Sequence, residues 1–233
     1  MTYGMDLLSN INKYIDQSAL KPNLTYQDII NQCEEALKYN FASLCVNPSH
    51  VKVCHEILKK SQVKVCSVIS FPFGLNSPEI KLKEALKAVE DGAAELDIVW
   101  NISAFKSKDF DYVLSELKNI VKETKPAITK IIVETAYLTD EEKIKALELV
   151  IESGADFIKT STGFAPIGAN IEDIILWKSL SKDRIKIKAS GGIRDFETAI
   201  KFLQAGADRI GTSSGAKIVE EAQKCILTKD KKS

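Results

Sequence analysis

The sequence predicts an α/β protein in which short strands alternate with helices and close into a (β/α)8 barrel, the TIM-barrel architecture. Short β-type runs alternate with longer amphipathic runs along the whole chain. The length of 233 residues is close to the roughly 250 residues of such barrels. An open doubly wound sheet shares the alternation, but a repeat of about 29 residues without a second domain favours closure.

We expect residues 1–233 to form a single domain that ends in a flexible basic tail from about residue 226 to 233. Eight strands are predicted, each a short run of β-branched, aromatic or other apolar residues. They span residues 14–16, 42–46, 64–69, 95–99, 128–134, 156–159, 185–188 and 209–210.

The helices between these strands are marked at both ends. Ser77 precedes Pro78, and Thr139 precedes three acidic residues, which is the composition that a helix amino terminus prefers. Glycine followed by alanine then recurs where a helix is expected to stop in the left-handed conformation, just before the next strand. These junctions are Gly92-Ala93, Gly154-Ala155 and Gly206-Ala207.

The composition excludes several classes of function. Lys and Arg together count 32, as do Asp and Glu, so no net charge attracts nucleic acid or an anionic membrane. The chain contains no apolar run of the ~20 residues that a membrane span needs and no signal-peptide pattern at its start, so a cytoplasmic protein that acts on small polar metabolites is expected. The five scattered cysteines are expected to be buried free thiols rather than a disulfide framework or a metal site.

Five chemically active residues fall at the predicted carboxyl ends of strands, where barrels of this type carry their active sites. They are Asp16, Cys45, Asp97, Lys159 and Lys188. Only a neutral amine attacks a carbonyl, and a neighbouring ammonium favours the neutral form of a lysine, so Lys188 could activate Lys159. The alternatives at this point are that either lysine forms a buried ion pair with an aspartate, or that it extends its ammonium to water. Packing is the expected role of Cys45.

Two glycine-rich segments follow the seventh and eighth predicted strands, at residues 190–194 and 211–215. In (β/α)8 barrels the loops after strands 7 and 8 commonly bind phosphate through backbone N–H groups. A phosphorylated substrate is therefore predicted, although tight βα turns alone would also explain the glycines.

With these segments the chain resembles the deoxyribose-phosphate aldolases, which are class I, Schiff-base-forming enzymes. The resemblance runs from about Ile15 to Ala216, and DFIKTSTGF together with KASGGIR is its most specific part. The other matching segments are IDQSALKP, LCVNPSHV, VCSVISFPFG, ELDIVWNISAFKS, ETAYLTDEEK and RIGTSSG.

The resemblance implies reversible cleavage of 2-deoxy-D-ribose 5-phosphate to D-glyceraldehyde 3-phosphate and acetaldehyde, without a metal or organic cofactor. It implies that Lys159 forms the Schiff base and that Asp97 donates and accepts protons. Lys188 would perturb Lys159 and relay protons, and Asp16 would support them near a substrate hydroxyl. It places the phosphate against Gly163, Gly191, Gly192, Gly211, Ser213 and Ser214. A homodimer is expected, because members of the family commonly are.

The sequence departs from the family at several positions. Gln17-Ser18 stands where many members have His-Thr, and Ser70 and Ile167 each replace a common glycine. The chain also lacks the carboxyl-terminal tyrosine of some members. Two other functions stay open on the residues alone: a phosphosugar isomerase or epimerase on the same barrel, and a non-catalytic barrel that binds a phosphorylated metabolite.

Overall fold

The computed structural model describes the backbone of residues 5–230 and the side chains of residues 7–227. Its strands are all parallel, and they form a closed barrel in which each strand pairs with the next and β8 pairs with β1. The (β/α)8 prediction is therefore confirmed. The strands are β1 Ile15–Ala19, β2 Ser43–Val46, β3 Lys64–Ile69, β4 Glu95–Val99, β5 Ile128–Ile132, β6 Phe157–Lys159, β7 Lys186–Ser190 and β8 Arg209–Thr212.

Helices follow the strands and form the outer layer. They are α1 Met5–Ser9, α2 Tyr26–Tyr39, α3 Val51–Leu58, α4 Pro78–Glu90, α5 Ile102–Lys106, α6 Phe110–Glu123, α7 Asp140–Ser153, α8 Ile171–Ser181, α9 Phe196–Ala205 and α10 Gly215–Asp230. Short 3₁₀ helices lie at Ile11–Tyr14, Pro48–His50 and Thr135–Tyr137. Within residues 5–230, no helix combines the length and the apolar character needed to cross a bilayer.

The helix boundaries follow the signals in the sequence. Thr139 caps α7 in a reciprocal capping box with Glu142, and Gly154 ends this helix in the left-handed conformation. Gly206 ends α9 in the same way. Ser77 does flank the start of α4, but its side chain makes no capping hydrogen bond, and Pro78 occupies the first turn instead.

Two boundaries near the ends of the chain differ from the prediction. The first strand starts at Ile15 and runs to Ala19 instead of ending at Asp16, since its pairing with β2 continues to Val46. At the other end, α10 extends to Asp230, so much of the segment that we expected to be a tail from residue 226 continues the helix. Residues 231–233 lie outside the described range.

The apolar core lies between the barrel and its helices, and the inside of the barrel is charged. Side chains of a strand alternate between its two faces, so Glu95 and Asp97 of β4 share one face. Lys130 of β5 is the register partner of Asp97, while Lys159 of β6 and Lys188 of β7 are register partners. The closed sheet therefore brings acids and lysines from different strands into one buried volume.

Candidate active site

A buried cluster of ionisable side chains fills the barrel beneath its mouth. It contains three carboxylates and four cationic side chains, joined in one network of ion pairs. Its members are Asp16, Glu95, Asp97, Lys130, Lys159, Lys188 and Arg209. Three carboxylates balance three cations, so the cluster is electrically neutral when one of its lysines has lost its proton.

Asp97 is the centre of this cluster. Its Oδ2 accepts hydrogen bonds from Nζ of Lys159 at 2.6 Å and from Nζ of Lys188 at 2.7 Å, and its Oδ1 accepts one from Nζ of Lys130 at 2.9 Å. Burial by itself would raise the pKa of the Asp97 carboxyl, but the three ammonium groups together hold this pKa well below its usual range. Asp97 is consequently ionised while all three lysines around it are protonated.

Asp16 forms a second ion pair with Lys188, on the side away from the cavity. Its Oδ2 lies 2.7 Å from Nζ of Lys188, while its Oδ1 accepts a hydrogen bond from Ser43 at 2.7 Å and pairs with Arg209. Burial opposes the ionised forms of Asp16 and Lys188, but the attraction between their opposite charges is the stronger effect. They lower the pKa of Asp16 and raise the pKa of Lys188, which also faces Asp97. Lys188 is therefore held protonated.

Lys159 occupies the last position of β6, and among the seven members of the cluster it alone lines the open cavity at the barrel mouth. The cavity has a volume of about 360 Å³. Asp16, Asp97 and Lys188 lie behind Lys159, because they occupy interior positions of their strands rather than the strand ends that we expected. For Asp97 the predicted strand, residues 95–99, already continued past it. Asp16 thus supports Lys188 from beneath and does not line the cavity where a substrate hydroxyl would bind.

The predicted phosphate-binding residues line the same cavity as Lys159. Five of the six predicted residues line it, namely Gly163, Gly191, Gly192, Gly211 and Ser213. Ser214 does not, and its backbone N–H donates to Oγ1 of Thr212 at 2.9 Å. Lys21 and Arg194 also line the cavity and add positive charge to it. Helix α10 starts two residues after Ser213, and a helix amino terminus favours an anion.

Close backbone approach explains two of these glycines. A Cβ atom on Gly211 would lie 2.8 Å from Cβ of Ser190 and 3.1 Å from Cε of Lys188. Gly191 has a φ of +90°, and a Cβ on it would lie 2.9 Å from Cα of Gly168. Strand β8 can therefore approach Lys188, and the loop after β7 can approach Gly168, only because side chains are absent at these two positions.

Of the departures from the family, Gln17 has contacts that explain it, whereas nothing in the structure explains Ser70. Gln17 accepts a hydrogen bond from the backbone N–H of Gly215 at 3.0 Å, and its amide donates to Gln32 at 3.0 Å. It thus ties β1 to the start of α10. Ser70 has a φ of 52°, which is left-handed and suits the glycine that it replaces better than serine.

The sequence interpretation missed Lys130, Glu95 and Arg209, which complete the charges around Asp97. Lys130 lies 2.6 Å from Oε2 of Glu95, and Arg209 lies 3.1 Å from Oε1 of that residue. A signal was available, because Glu95 is two positions from Asp97 and must share its face of the strand. Lys130 likewise stands in the otherwise uncharged segment from Ile128 to Val133, where a charged residue indicates the same inward position.

Cys45 and Cys66 lie directly beside Asp97. The ligand atoms of these three residues fall within 4.8 Å of one another, which is close enough to consider a metal ion. The lysine ammonium groups already bind both carboxylate oxygens of Asp97, and they would repel a further cation. Both thiols are buried, and burial is the largest of the effects that raise the pKa of Cys66, so packing remains the interpretation for Cys45.

The sequence profile of the DeoC/LacD family aldolase matches residues 10–221. The chain belongs to this aldolase family. This match spans every element that builds the site, from the start of β1 to the first half of α10. The expected resemblance is thereby confirmed at the level of the family.

Individual members of the aldolase family agree with this assignment. A deoxyribose-phosphate aldolase of Aquifex aeolicus is 58% identical over 91% of the chain and 96% of its own length. The solved structure of "QR15, an Aldolase" is 56% identical, with a TM-score of 0.91 over 94% of the chain and 98% of its own. A deoxyribose phosphate aldolase from Aeropyrum pernix, described as tetrameric, is 35% identical, with a TM-score of 0.87 over 94% and 93%.

Proposed function

We propose that this chain is a class I deoxyribose-phosphate aldolase that cleaves 2-deoxy-D-ribose 5-phosphate reversibly to D-glyceraldehyde 3-phosphate and acetaldehyde. The observation that carries the proposal is the geometry of Lys159. Its amine lines a cavity that ends on the glycine loops, while Asp97 and Lys188 contact each other directly behind it. A reactive amine and an anion-binding wall in one cavity suit a phosphorylated aldehyde.

In the first step the Lys159 amine attacks the aldehyde carbon of the open-chain sugar. Asp97 Oδ2, at 2.6 Å, takes a proton from the ammonium and returns it to the hydroxyl that leaves as water. Ammonium and aldehyde thus become iminium and water, so the total charge of the buried cluster does not change. The ionised Asp97 then faces the positive iminium nitrogen.

In the second step the bond between C2 and C3 breaks and its electron pair moves to the iminium, which becomes a neutral enamine. One of the three cations that lower the pKa of Asp97 is then lost. The affinity of Asp97 for a proton rises at the step in which the C3 hydroxyl must release one. The same proton can later reach the enamine carbon, and water then releases acetaldehyde.

Lys188 acts in this proposal as a permanent charge more than as a relay. Asp16 and Asp97 raise its pKa although burial opposes this, so it does not give up its proton readily. Its ammonium favours the neutral form of the neighbouring Lys159 amine. Asp16 contributes by holding Lys188 in place.

The phosphate binds in the same cavity, against Gly163, Gly191, Gly192, Gly211 and Ser213. Backbone N–H groups and the amino terminus of α10 supply most of the recognition there. Arg194 and Lys21 add charge from the cavity rim. Because Ser214 uses its N–H on Thr212, its proposed role is to shape the loop.

A homodimer remains our proposal for the assembly. Large apolar side chains are exposed at Tyr26, Ile80 and Ile175, and such surface is available for subunit contacts. Light scattering after size exclusion should give twice the chain mass; a monomer would contradict the proposal, and a tetramer would require a second interface. Because a bilayer excludes a charged sugar phosphate, we also propose the cytoplasm as the location, which cell fractionation tests.

Turnover of 2-deoxyribose 5-phosphate with detection of released acetaldehyde tests the proposed reaction. The unaltered chain should release acetaldehyde and D-glyceraldehyde 3-phosphate in equal amounts, and Lys159→Ala should release neither. An isomerase or epimerase would give a product of unchanged mass. A chain that binds the sugar phosphate without any turnover would contradict the proposal.

A further inference from the structure

A second pocket lies beside the reaction cavity, and the two share a wall. The pocket has a volume of about 280 Å³ and a mainly apolar lining that includes Pro72, Phe73 and Ile102. Thr162 and Phe164 line both this pocket and the reaction cavity. These two residues therefore form a partition between the space that contains Lys159 and an apolar space next to it.

A buried carboxylate holds the partition in place. Oε2 of Glu134 accepts hydrogen bonds from the backbone N–H of Thr162 at 3.1 Å and from the hydroxyl of Thr162. The same hydroxyl accepts a hydrogen bond from the backbone N–H of Phe164 at 3.0 Å. The ring of Phe164 packs edge-on against Phe71 with 5.3 Å between ring centroids. Glu134, Thr162 and Phe164 thus form one hydrogen-bonded clamp.

The clamp carries two features that are costly for the fold. Glu134 is 2% exposed, and its Oε1 has no hydrogen-bond partner among the described residues, which is an expensive position for a carboxyl group. Burial raises the pKa of Glu134, although Thr162 and the charge of Lys159 oppose this. The backbone of Glu134 is also left-handed, with a φ of 54°. Strain of this kind concentrates at functional sites.

Lys159 does not depend on the clamp for its own position. It pairs in register with Ile132 of β5 and with Lys188 of β7. Its carbonyl accepts a hydrogen bond from Val133 at 3.1 Å, and its Nζ is held by Asp97. Loss of the clamp should therefore release Thr162 and Phe164 while the imine-forming lysine stays in place.

We propose that Glu134 is a positioning residue that determines substrate specificity, because through Thr162 it holds Phe164 as the wall that separates the reaction cavity from the apolar pocket. With the wall in place, the arm of the substrate beyond C3 is directed to the glycine loops, and a phosphate is favoured. Without it, the cavity extends into the apolar pocket and can accept an alkyl arm. The inference rests on the proposed aldolase function and refines its choice of substrate.

The test compares kcat/KM for 2-deoxyribose 5-phosphate and for 3-hydroxyoctanal, which the same cleavage would convert to acetaldehyde and hexanal. In Glu134→Ala the value for the sugar phosphate should fall about tenfold, because Phe164 no longer directs the phosphate arm to the glycine loops. The value for 3-hydroxyoctanal should stay constant or rise. Borohydride trapping of acetaldehyde should still label Lys159.

Two further variants show whether the position or the charge of Glu134 matters, and whether the effect is independent of misfolding in Glu134→Ala. Glu134→Gln keeps a carbonyl oxygen for both donors of Thr162 and should restore the original preference. Phe164→Ala removes the wall directly at a half-exposed position, so it should shift the preference in the same direction even if Glu134→Ala does not fold. Glu142→Ala, which removes a capping carboxylate on α7 away from the cavity, is the matched control and should leave the preference unchanged.

The outcomes distinguish this inference from the proposed function. Equal losses for both substrates in Glu134→Ala and Phe164→Ala, or no change in either, would overturn the specificity role. A Glu134→Gln variant as impaired as Glu134→Ala would show that charge rather than position matters and would overturn it too. Absence of acetaldehyde release by the unaltered chain would instead contradict the aldolase function itself.

Discussion

Replacement of Asp97 by asparagine removes the central negative charge while it preserves the shape of the side chain. Each of the three lysines around Asp97 then depends on its remaining partners. Lys130 keeps Glu95 at 2.6 Å, and Lys188 keeps Asp16 at 2.7 Å. Lys159 has no second carboxylate within ion-pair distance among the described residues. The cost of Asp97→Asn should therefore fall mainly on Lys159.

Removal of one partner from a buried ion pair typically costs about 3–5 kcal/mol. The cost also has an upper limit, because a lysine without its partner can become neutral instead of remaining charged. For an ordinary lysine with a pKa of ~10.4, loss of the proton at pH 7 costs about 4.6 kcal/mol. We expect Asp97→Asn to lower the free energy of unfolding by about 3–5 kcal/mol at pH 7. The loss should shrink by about 1.4 kcal/mol for each unit of pH increase, since the neutral amine becomes easier to form.

Denaturant unfolding at pH 7 and pH 9 measures these values. The double variant Asp97→Asn/Lys159→Met should be more stable than Asp97→Asn alone, because it removes the uncompensated charge. If Lys159→Met lowers stability by the same amount with and without Asp97, the two side chains are energetically independent. That result, or a loss that does not vary with pH, would refute this account of the cluster.

Three other changes probe separate parts of the site. Gly211→Ala should cost about 1–3 kcal/mol of stability and reduce turnover, because the new Cβ would lie 3.1 Å from Cε of Lys188. Thermal unfolding measures the loss of stability, and a rate assay measures the loss of turnover. Arg194→Ala should raise KM for 2-deoxyribose 5-phosphate at least tenfold and leave unphosphorylated 2-deoxyribose unaffected, and equal effects on both substrates would contradict the phosphate assignment. Because the folded-state pKa of Asp97 is depressed, its contribution to stability should be complete above about pH 4 and decline as pH falls further. In acid titrations of stability, Asp97→Asn should lack this decline.

The sequence was sufficient for the fold because the order of strands and helices, and several helix boundaries, are specified locally. Thr139 and Gly154 bound α7 through capping and a left-handed carboxyl end, and these interactions involve only neighbouring residues. The strand that contains Lys159 was likewise predicted to within one residue. Such signals do not depend on the tertiary structure.

The distance of Asp16 below the cavity was not predictable from such local signals. Asp16 was expected at the end of its strand, but β1 continues to Ala19 and places Asp16 well below the cavity. Strand length here depends on pairing with β2 and β8, which is a tertiary effect. Lys130 was missed for a related reason, since its partners Glu95 and Asp97 come from another strand.

Glu134 shows a third kind of limit. The segment Ile128 to Glu134 has the composition of one strand, yet β5 ends at Ile132 and Glu134 adopts a left-handed backbone. Non-glycine residues rarely adopt this conformation, so the sequence gives little indication of it. The hydrogen bonds from Thr162 that accompany this conformation were equally hidden.

Reductive trapping shows directly whether Lys159 captures the aldehyde as an imine. The chain is incubated with acetaldehyde and borohydride, digested, and mapped by mass spectrometry. One N-ethyl lysine is expected, at Lys159, and none in Lys159→Ala. Trapping at a different lysine, or an unlabelled Lys159 in a chain that still releases acetaldehyde from 2-deoxyribose 5-phosphate, would contradict this role of Lys159.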